Sequence, residues 1–257
     1  MSSPSLGSAS ESVPLVVCSP AMGDVRDVYN PLAQALCAAG FRVVTVDLRG
    51  HGDSSAAFGS YGDEATAGDL IALIEELDAG PALLVGASMS GASAVIAAGR
   101  RPDLVTGVVL EDPARFGTRS PRELLARGAA RERARAAEVA DLPAAVGRAL
   151  ETMPDAEALP GLWASQRTDP GLLLSGVVTP EVPWDEAMAA LDVPALLLTG
   201  DRPGSARVGS EGLATAARNP RITPVLVPGA GHQVRRSDPL AFYRAVDTWL
   251  AEVLPVG

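Results

Sequence analysis

Short apolar runs alternate along this chain with longer segments whose apolar positions recur at helical spacing. Residues 13–18 (VPLVVC) form a strand-like run that stops at the turn-prone stretch Ser19, Pro20, Ala21, Met22, Gly23. Pro14 suits the first residues of a strand, where a missing ladder N–H does no harm. Residues 31–39 predict a helix, with Asn30 as its N-cap, Pro31 in the first turn and Gly40 closing it. Further strands are predicted at 41–46, 82–86, 104–110, 195–199 and 222–227, and helices at 63–77, 92–100 and 240–254. The strands are almost wholly apolar, as expected when helices cover both faces of a sheet. Strand and helix in alternation imply right-handed crossovers, hence an α/β fold with a mostly parallel sheet of about six strands flanked by helices.

One region breaks the alternation. Residues 114–191 contain no convincing strand, and Pro121, Pro143, Pro154, Pro160 and Pro170 divide them into short helical pieces. That is too long for a plain loop, so the segment reads as a helical cap inserted over one end of the sheet. The expected organisation is a lead-in at 1–12, a core at 13–113 and 192–257, and the cap at 114–191.

Composition narrows the function classes. The formal net charge is -10, with 21 basic against 31 acidic side chains. Such a balance opposes general nucleic-acid binding, which needs clustered cations against phosphate, and docking on anionic lipid. No stretch approaches the roughly 20 apolar residues of a membrane span. The opening MSSPSLGSASES lacks the basic start and apolar centre of a secretory signal, so it reads as a disordered lead-in on a cytoplasmic protein. Cys18 and Cys37, the only cysteines, have neither disulfide-framework nor zinc spacing and read as reduced structural thiols. No cofactor or metal is implied: the chain lacks dinucleotide GxGxxG spacing, HExxH and clustered metal ligands.

In open parallel sheets, ligands bind beyond the C-terminal strand ends. The polar residues to weigh there are Ser19, Asp47, Ser88, Glu111, Asp112, Asp201 and His232. The strongest local signal is residues 83–94 (LLVGASMSGASA). A buried strand runs into Gly86, Ala87, Ser88, Met89, Ser90 and Gly91, and a helix of small residues follows. A sharp turn there presents the Ser88 hydroxyl alone, and the Met89 N–H points into the same space, where it can hold an oxyanion. The plainer reading of Ser88 is a helix cap without chemistry.

These residues resemble the nucleophile elbow Gly-x-Ser-x-Gly of the α/β-hydrolase superfamily, with Ser90 in place of the last glycine. The resemblance extends along nearly the whole chain after the lead-in. Asp47-x-Arg49-Gly50-x-Gly52-x-Ser54 is similar to the family's loop after its fourth strand, and residues 194–201 (PALLLTGD) to its strand seven. Gly229-Ala230-Gly231-His232 is similar to its catalytic-histidine loop, and the chain order Ser, acid, His fits. The resemblance implies Ser88 as nucleophile and His232 as general base. His51, the other histidine, reads as a structural or cavity-rim loop residue.

The acid departs from the family pattern. Its usual place, three residues beyond Gly200, is occupied by Pro203. Asp112, at the end of the strand after the nucleophile helix, is the favoured candidate, and Asp201 is the alternative. Glu111 should point to the opposite side of the sheet. The family takes its second oxyanion donor from the loop after the first parallel strand. Pro20 lacks an N–H, so Ala21 N–H is the choice, with Met22 as fallback.

Arg115, Arg119, Arg122, Arg127, Arg131, Arg133 and Arg135 crowd the start of the cap. They read as a solvated face with helix ion pairs such as those of Glu132, or as a positive mouth for an anionic substrate. Trp163 and Trp184 either pack the cap or line a pocket. The expectation is a serine esterase or lactonase acting on a small molecule, with a homodimer left open. Two other readings share the fold: a non-catalytic ligand-binding protein, and a biosynthetic acyltransferase or cyclase using the same triad.

Overall fold

The computed structural model describes residues 13–55, 59–115, 120–174 and 182–254. The expected lead-in at 1–12, and Arg119, lie outside the described residues. In chain order the body opens with β1 (Leu15–Ser19), a 3₁₀ turn (Arg26–Tyr29), α1 (Asn30–Ala38), β2 (Arg42–Thr45) and α2 (Asp63–Leu77). It continues with β3 (Ala82–Ala87), α3 (Met89–Arg100) and β4 (Val105–Glu111). The insertion holds α4 (Pro121–Ala140), α5 (Leu142–Thr152), α6 (Asp155–Gln166) and α7 (Gly171–Leu174). The chain then returns through α8 (Trp184–Ala190), β5 (Ala195–Gly200), α9 (Gly209–Ala216), β6 (Ile222–Val227), α10 (Val234–Ser237) and α11 (Pro239–Val253).

The strands form one parallel sheet in the order β2-β1-β3-β4-β5-β6. Strand periodicity divides the core cleanly. Leu15, Val17, Leu84, Val108, Leu110 and Leu197 face one side, packed under α2, α3, α8 and α9. Val16, Cys18, Leu83, Val85, Val109 and Leu196 face the other, packed under α1 and α11. Burial pushes the Cys18 thiol up to about 12, and Cys37 is exposed; both are free. Among the described residues no helix is long and apolar enough to cross a membrane.

One boundary differs from the sequence reading. Asn30 is not outside α1 as its cap: the 3₁₀ turn runs straight into the helix, and Asn30 takes the first helical position. The expected cap at 114–191 includes α8 (Trp184–Ala190) at its end. Trp184 and Met188 of α8 pack into the core face shared with α3 and α9, so α8 belongs to the body. The stretch between β4 and α8 holds α4 to α7. Its first helix begins on a capping box, in which Ser120 Oγ accepts the Glu123 N–H and Glu123 Oε2 accepts the Ser120 N–H.

This topology fixes where the strand order reverses. The chain moves from β1 outward to β2, then returns past β1 to β3 and onward in the other direction. The reversal lies between β1 and β3, and a crevice opens beyond their C-terminal ends. The segments that flank it are Pro20 to Gly23 and Ser88.

Candidate active site

Ser88 occupies the turn between β3 and α3 with φ 55° and ψ -115°. A non-glycine residue with positive φ is uncommon and is held there only when its surroundings enforce it. Gly86 permits the turn, because a Cβ there would come 2.6 Å from the Ser90 carbonyl oxygen. Ser90, which replaces the family's glycine, fastens the turn instead. Its Oγ donates to Ser19 O at 2.6 Å and accepts the Ala87 N–H at 2.9 Å, so it joins β1 to the end of β3. The Ser88 side chain makes no helix-capping bond. Its hydroxyl lies 2.9 Å from His232 Nε2.

His232 follows Gly229, Ala230 and Gly231 after β6. Gly200 allows this loop to approach, since a Cβ there would collide with Ala230 O. His232 Nδ1 lies 2.6 Å from Asp112 Oδ2. Asp112 is fully buried, with φ 40°, immediately after β4. Its carboxylate also accepts Thr199 Oγ1–H at 2.7 Å, Val208 N–H at 2.9 Å and Arg207 N–H at 2.8 Å. An ionised carboxylate only accepts, so Nδ1 carries the imidazole proton and Nε2 is left to accept from Ser88. The structure therefore brings Ser88, His232 and Asp112 together.

Asp201 does not join them. It accepts the Gly229 N–H at 2.6 Å on the exposed loop beneath the histidine. Glu111 points to the opposite side, as alternation requires. It is buried, and it accepts the Arg235 N–H at 2.7 Å. Burial raises its pKa, against the opposing pull of Arg235.

Ala21 and Ser88 line one cavity of about 160 Å³, and Met89 opens α3 beside it. Neither the Ala21 N–H nor the Met89 N–H has a hydrogen-bond partner among the described residues. The loop carrying Ala21 is a turn closed by Asp24 N–H to Ala21 O at 3.0 Å, and Gly23 supplies its φ of +88°. His51 braces that turn. Its Nε2 accepts the Gly23 N–H at 2.9 Å, and its Nδ1 donates to Arg49 O. Burial lowers the pKa of this imidazole, consistent with the neutral tautomer those partners need. His51 thus braces the loop that carries Ala21.

The remaining sequence candidates separate. Ser19 and Asp47 serve the scaffold: Ser19 Oγ donates to Val85 O, and Asp47 binds Arg26. Trp163 is 55% exposed on the outer face of the insertion, against α5. Trp184 packs on the body under the Arg115 guanidinium, 4.7 Å from its ring centroid. Neither lines the Ser88 cavity. Arg122 and Arg133 are exposed, and Arg135 pairs with Glu132 at 3.9 Å, as a solvated face predicts. Arg115, Arg127 and Arg131 instead line the cavity with Ser88 and His232. Sequence reasoning missed the donors to Asp112. Thr199 and the Arg207 and Val208 amides carry no motif, and only the fold brings them to a carboxylate 87 or more positions away.

Residues 16–245 match the model of the Alpha/beta hydrolase family. The chain belongs to that family. Among curated relatives of this hydrolase, 2-(acetamidomethylene)succinate hydrolase of Mesorhizobium japonicum is 31% identical over 236 residues, covering 87% of this chain and 83% of that enzyme. A mouse sn-1-specific diacylglycerol lipase is 38% identical over 109 residues; the match spans 42% of this chain and only 35% of the lipase. A thermophilic esterase from Thermogutta terrifontis superposes with a TM-score of 0.72 at 26% identity, covering 94% of this chain and 91% of that one. Homologues of this chain are hydrolases.

Proposed function

We propose that this hydrolase is a serine esterase or lactonase that works through an acyl-enzyme on Ser88. The observation that carries the reading is the hydrogen-bonded relay from Ser88 through His232 to Asp112, with spacings of 2.9 and 2.6 Å. A serine hydroxyl is a weak nucleophile until a base removes its proton. His232 Nε2 takes that proton as Oγ attacks the acyl carbon. Asp112 holds the ring in the tautomer that leaves Nε2 free and stabilises the imidazolium that forms. The unpartnered Met89 and Ala21 N–H groups receive the oxyanion, where fixed donors cost no reorganisation as charge develops. His232 then returns the proton to the leaving alcohol. A water deprotonated at the same nitrogen releases the acid. Relatives named as an esterase and as a hydrolase of 2-(acetamidomethylene)succinate support hydrolytic acyl chemistry.

The test is intact mass after exposure to a small fluorophosphonate, with Ser88→Ala alongside. The reading expects one adduct on the wild type and none on the variant. A folded wild-type protein that gains no adduct overturns it. Product analysis with a competing alcohol then separates hydrolysis from acyl transfer.

A further inference from the structure

The cavity at Ser88 is charged against the trend of the chain. Acidic side chains outnumber basic ones by 31 to 21, yet among the described residues Arg115, Arg127, Arg131 and Arg207 line this cavity and no aspartate or glutamate does. They converge from three places: the segment after β4, helix α4, and the loop after β5. Arg127 and Arg131 stand one helical turn apart, so both project from the same face of α4.

Arg131 is the informative member. Among the described residues no carboxylate lies within ion-pair distance of its guanidinium, whereas Arg115 sits 3.4 Å from Asp185. The group is partly buried and packs against Gly23, where a Cβ would collide with it. It therefore lies beside the turn that presents the Ala21 N–H. Burial lowers its pKa against the weaker pull of Asp24, Glu132 and Glu138, whereas the ion-paired Arg26, Arg49, Arg101, Arg235 and Arg236 are raised. A guanidinium withdrawn from water without a direct ion-pair partner is costly, and an arriving anion at hydrogen-bond distance offsets that cost. Arginine also offers a planar fork that matches a carboxylate in two parallel hydrogen bonds.

We infer that the substrate carries a carboxylate besides its scissile acyl group, and that Arg131 binds it from above Ser88, with Arg127 and Arg207 adding to the field. This rests on the acyl-enzyme reading for the position of the scissile bond. The cavity, about 160 Å³, is smaller than the roughly 300–1,000 Å³ of drug-sized sites, so the substrate is compact. Arg131 is then a specificity residue: the insertion supplies recognition and the body supplies chemistry.

The experiment compares monomethyl glutarate with methyl pentanoate, esters of matched length with and without the second carboxylate. The wild type should favour the charged ester. In Arg131→Gln the ratio of the two kcat/KM values should fall about 30-fold, the loss expected for a charged hydrogen-bonded pair. Arg131→Lys should fall between the two, and Arg133→Gln, exposed on the same helix, should keep the wild-type ratio. Calorimetry of glutarate binding to Ser88→Ala, with and without Arg131→Gln, reads the anion site without catalysis. A wild type that prefers the neutral ester, or a ratio and a glutarate affinity both indifferent to Arg131, overturns the inference. If Ser88 takes no fluorophosphonate while glutarate binds through Arg131, the acyl-enzyme reading falls and the anion site stands.

Discussion

His232 Nδ1 and Asp112 Oδ2 meet at 2.6 Å across 120 positions of chain, because β4 and β5 are neighbours and β6 lies next to β5. Asp112 N–H donates to Leu198 O at 2.7 Å, which carries the ladder one residue past β4. Its side chain is thereby delivered under the loop that follows β6. A carboxylate at the end of either β4 or β5 could reach this histidine. Here Thr199 and the Arg207 and Val208 amides enclose the one from β4.

Asp112→Asn should therefore lower kcat by about 10⁴-fold, because an amide in that place favours the wrong imidazole tautomer. Asp201→Asn should leave kcat within about threefold, as for a surface change away from the reacting groups. Steady-state kinetics on any ester turned over by the wild type checks both. The reverse pattern would move the acid to the β5 loop.

The contrast between the two aspartates shows what sequence carries. The apolar runs of β1, β3, β4 and β5 are legible because a strand buried on both faces has almost no polar positions. The turn at Ser88 is legible because Gly86 and the small residues after it answer a local steric demand. Sequence leaves Asp112 and Asp201 both open because both sit at strand ends, and which of them lies beside His232 depends on the packed position of residues 199–208. The body membership of α8 was hidden for a similar reason: a short amphipathic helix looks the same whether it packs on the sheet or on other helices. The arginines of α4 were visible as a cluster, but which of them face Ser88 depends on how α4 lies over the body.

Ser90 gives a second prediction. Its hydroxyl bridges Ser19 O and the Ala87 N–H inside a fully buried site. Ser90→Ala removes the bridge and leaves a buried donor and acceptor unmatched, which costs about 1–3 kcal/mol. Urea unfolding should show that loss as a lower midpoint. Fluorophosphonate labelling of the variant should remain confined to Ser88.

Asp63 gives a stability profile that runs opposite to ordinary acid denaturation. It opens α2 fully buried, with no partner for either carboxylate oxygen among the described residues, and burial pushes its pKa up to about 7. Unfolded, an aspartate ionises near its ordinary value of about 3.9. Below that pH both states hold the proton and the ionisation of this residue contributes nothing to stability. As pH rises toward 7 the unfolded state gives up its proton while the folded state keeps it, so this residue's contribution to stability declines and levels off above 7. Asp63→Asn should thus stabilise the protein at pH 8, by no more than about 4 kcal/mol, and by far less at pH 4. Thermal unfolding at the two pH values checks the sign. An equal effect at both would show that Asp63 is charged or solvated throughout.

The last prediction concerns how the insertion is held to the body. Glu157 of α6 is buried and binds both Arg235, through Oε1, and Arg236, through Oε2 at 2.7 Å to Nε. The Arg235 backbone N–H holds Glu111, and Arg236 reaches Asp24 at 3.0 Å. These arginines follow His232 by three and four residues, and Asp24 follows the turn that carries Ala21. One carboxylate on the insertion is therefore tied to the histidine segment, whose Arg236 in turn holds the loop that carries Ala21. Burial opposes the charge on Arg235, but Glu111, Tyr29 and Glu157 together raise its pKa above the ordinary value. Removing one acid leaves that charge undercompensated, and breaking a buried pair this way costs about 3–5 kcal/mol. Glu157→Gln should lower Tm and speed amide exchange in α6 and in residues 232–238 together. Being buried, the loss should persist at high salt, where exposed pairs such as Arg221 with Asp192 are screened. Faster exchange in α6 alone would mean that the insertion is held independently of the histidine segment, and Glu157 would then be a local staple only.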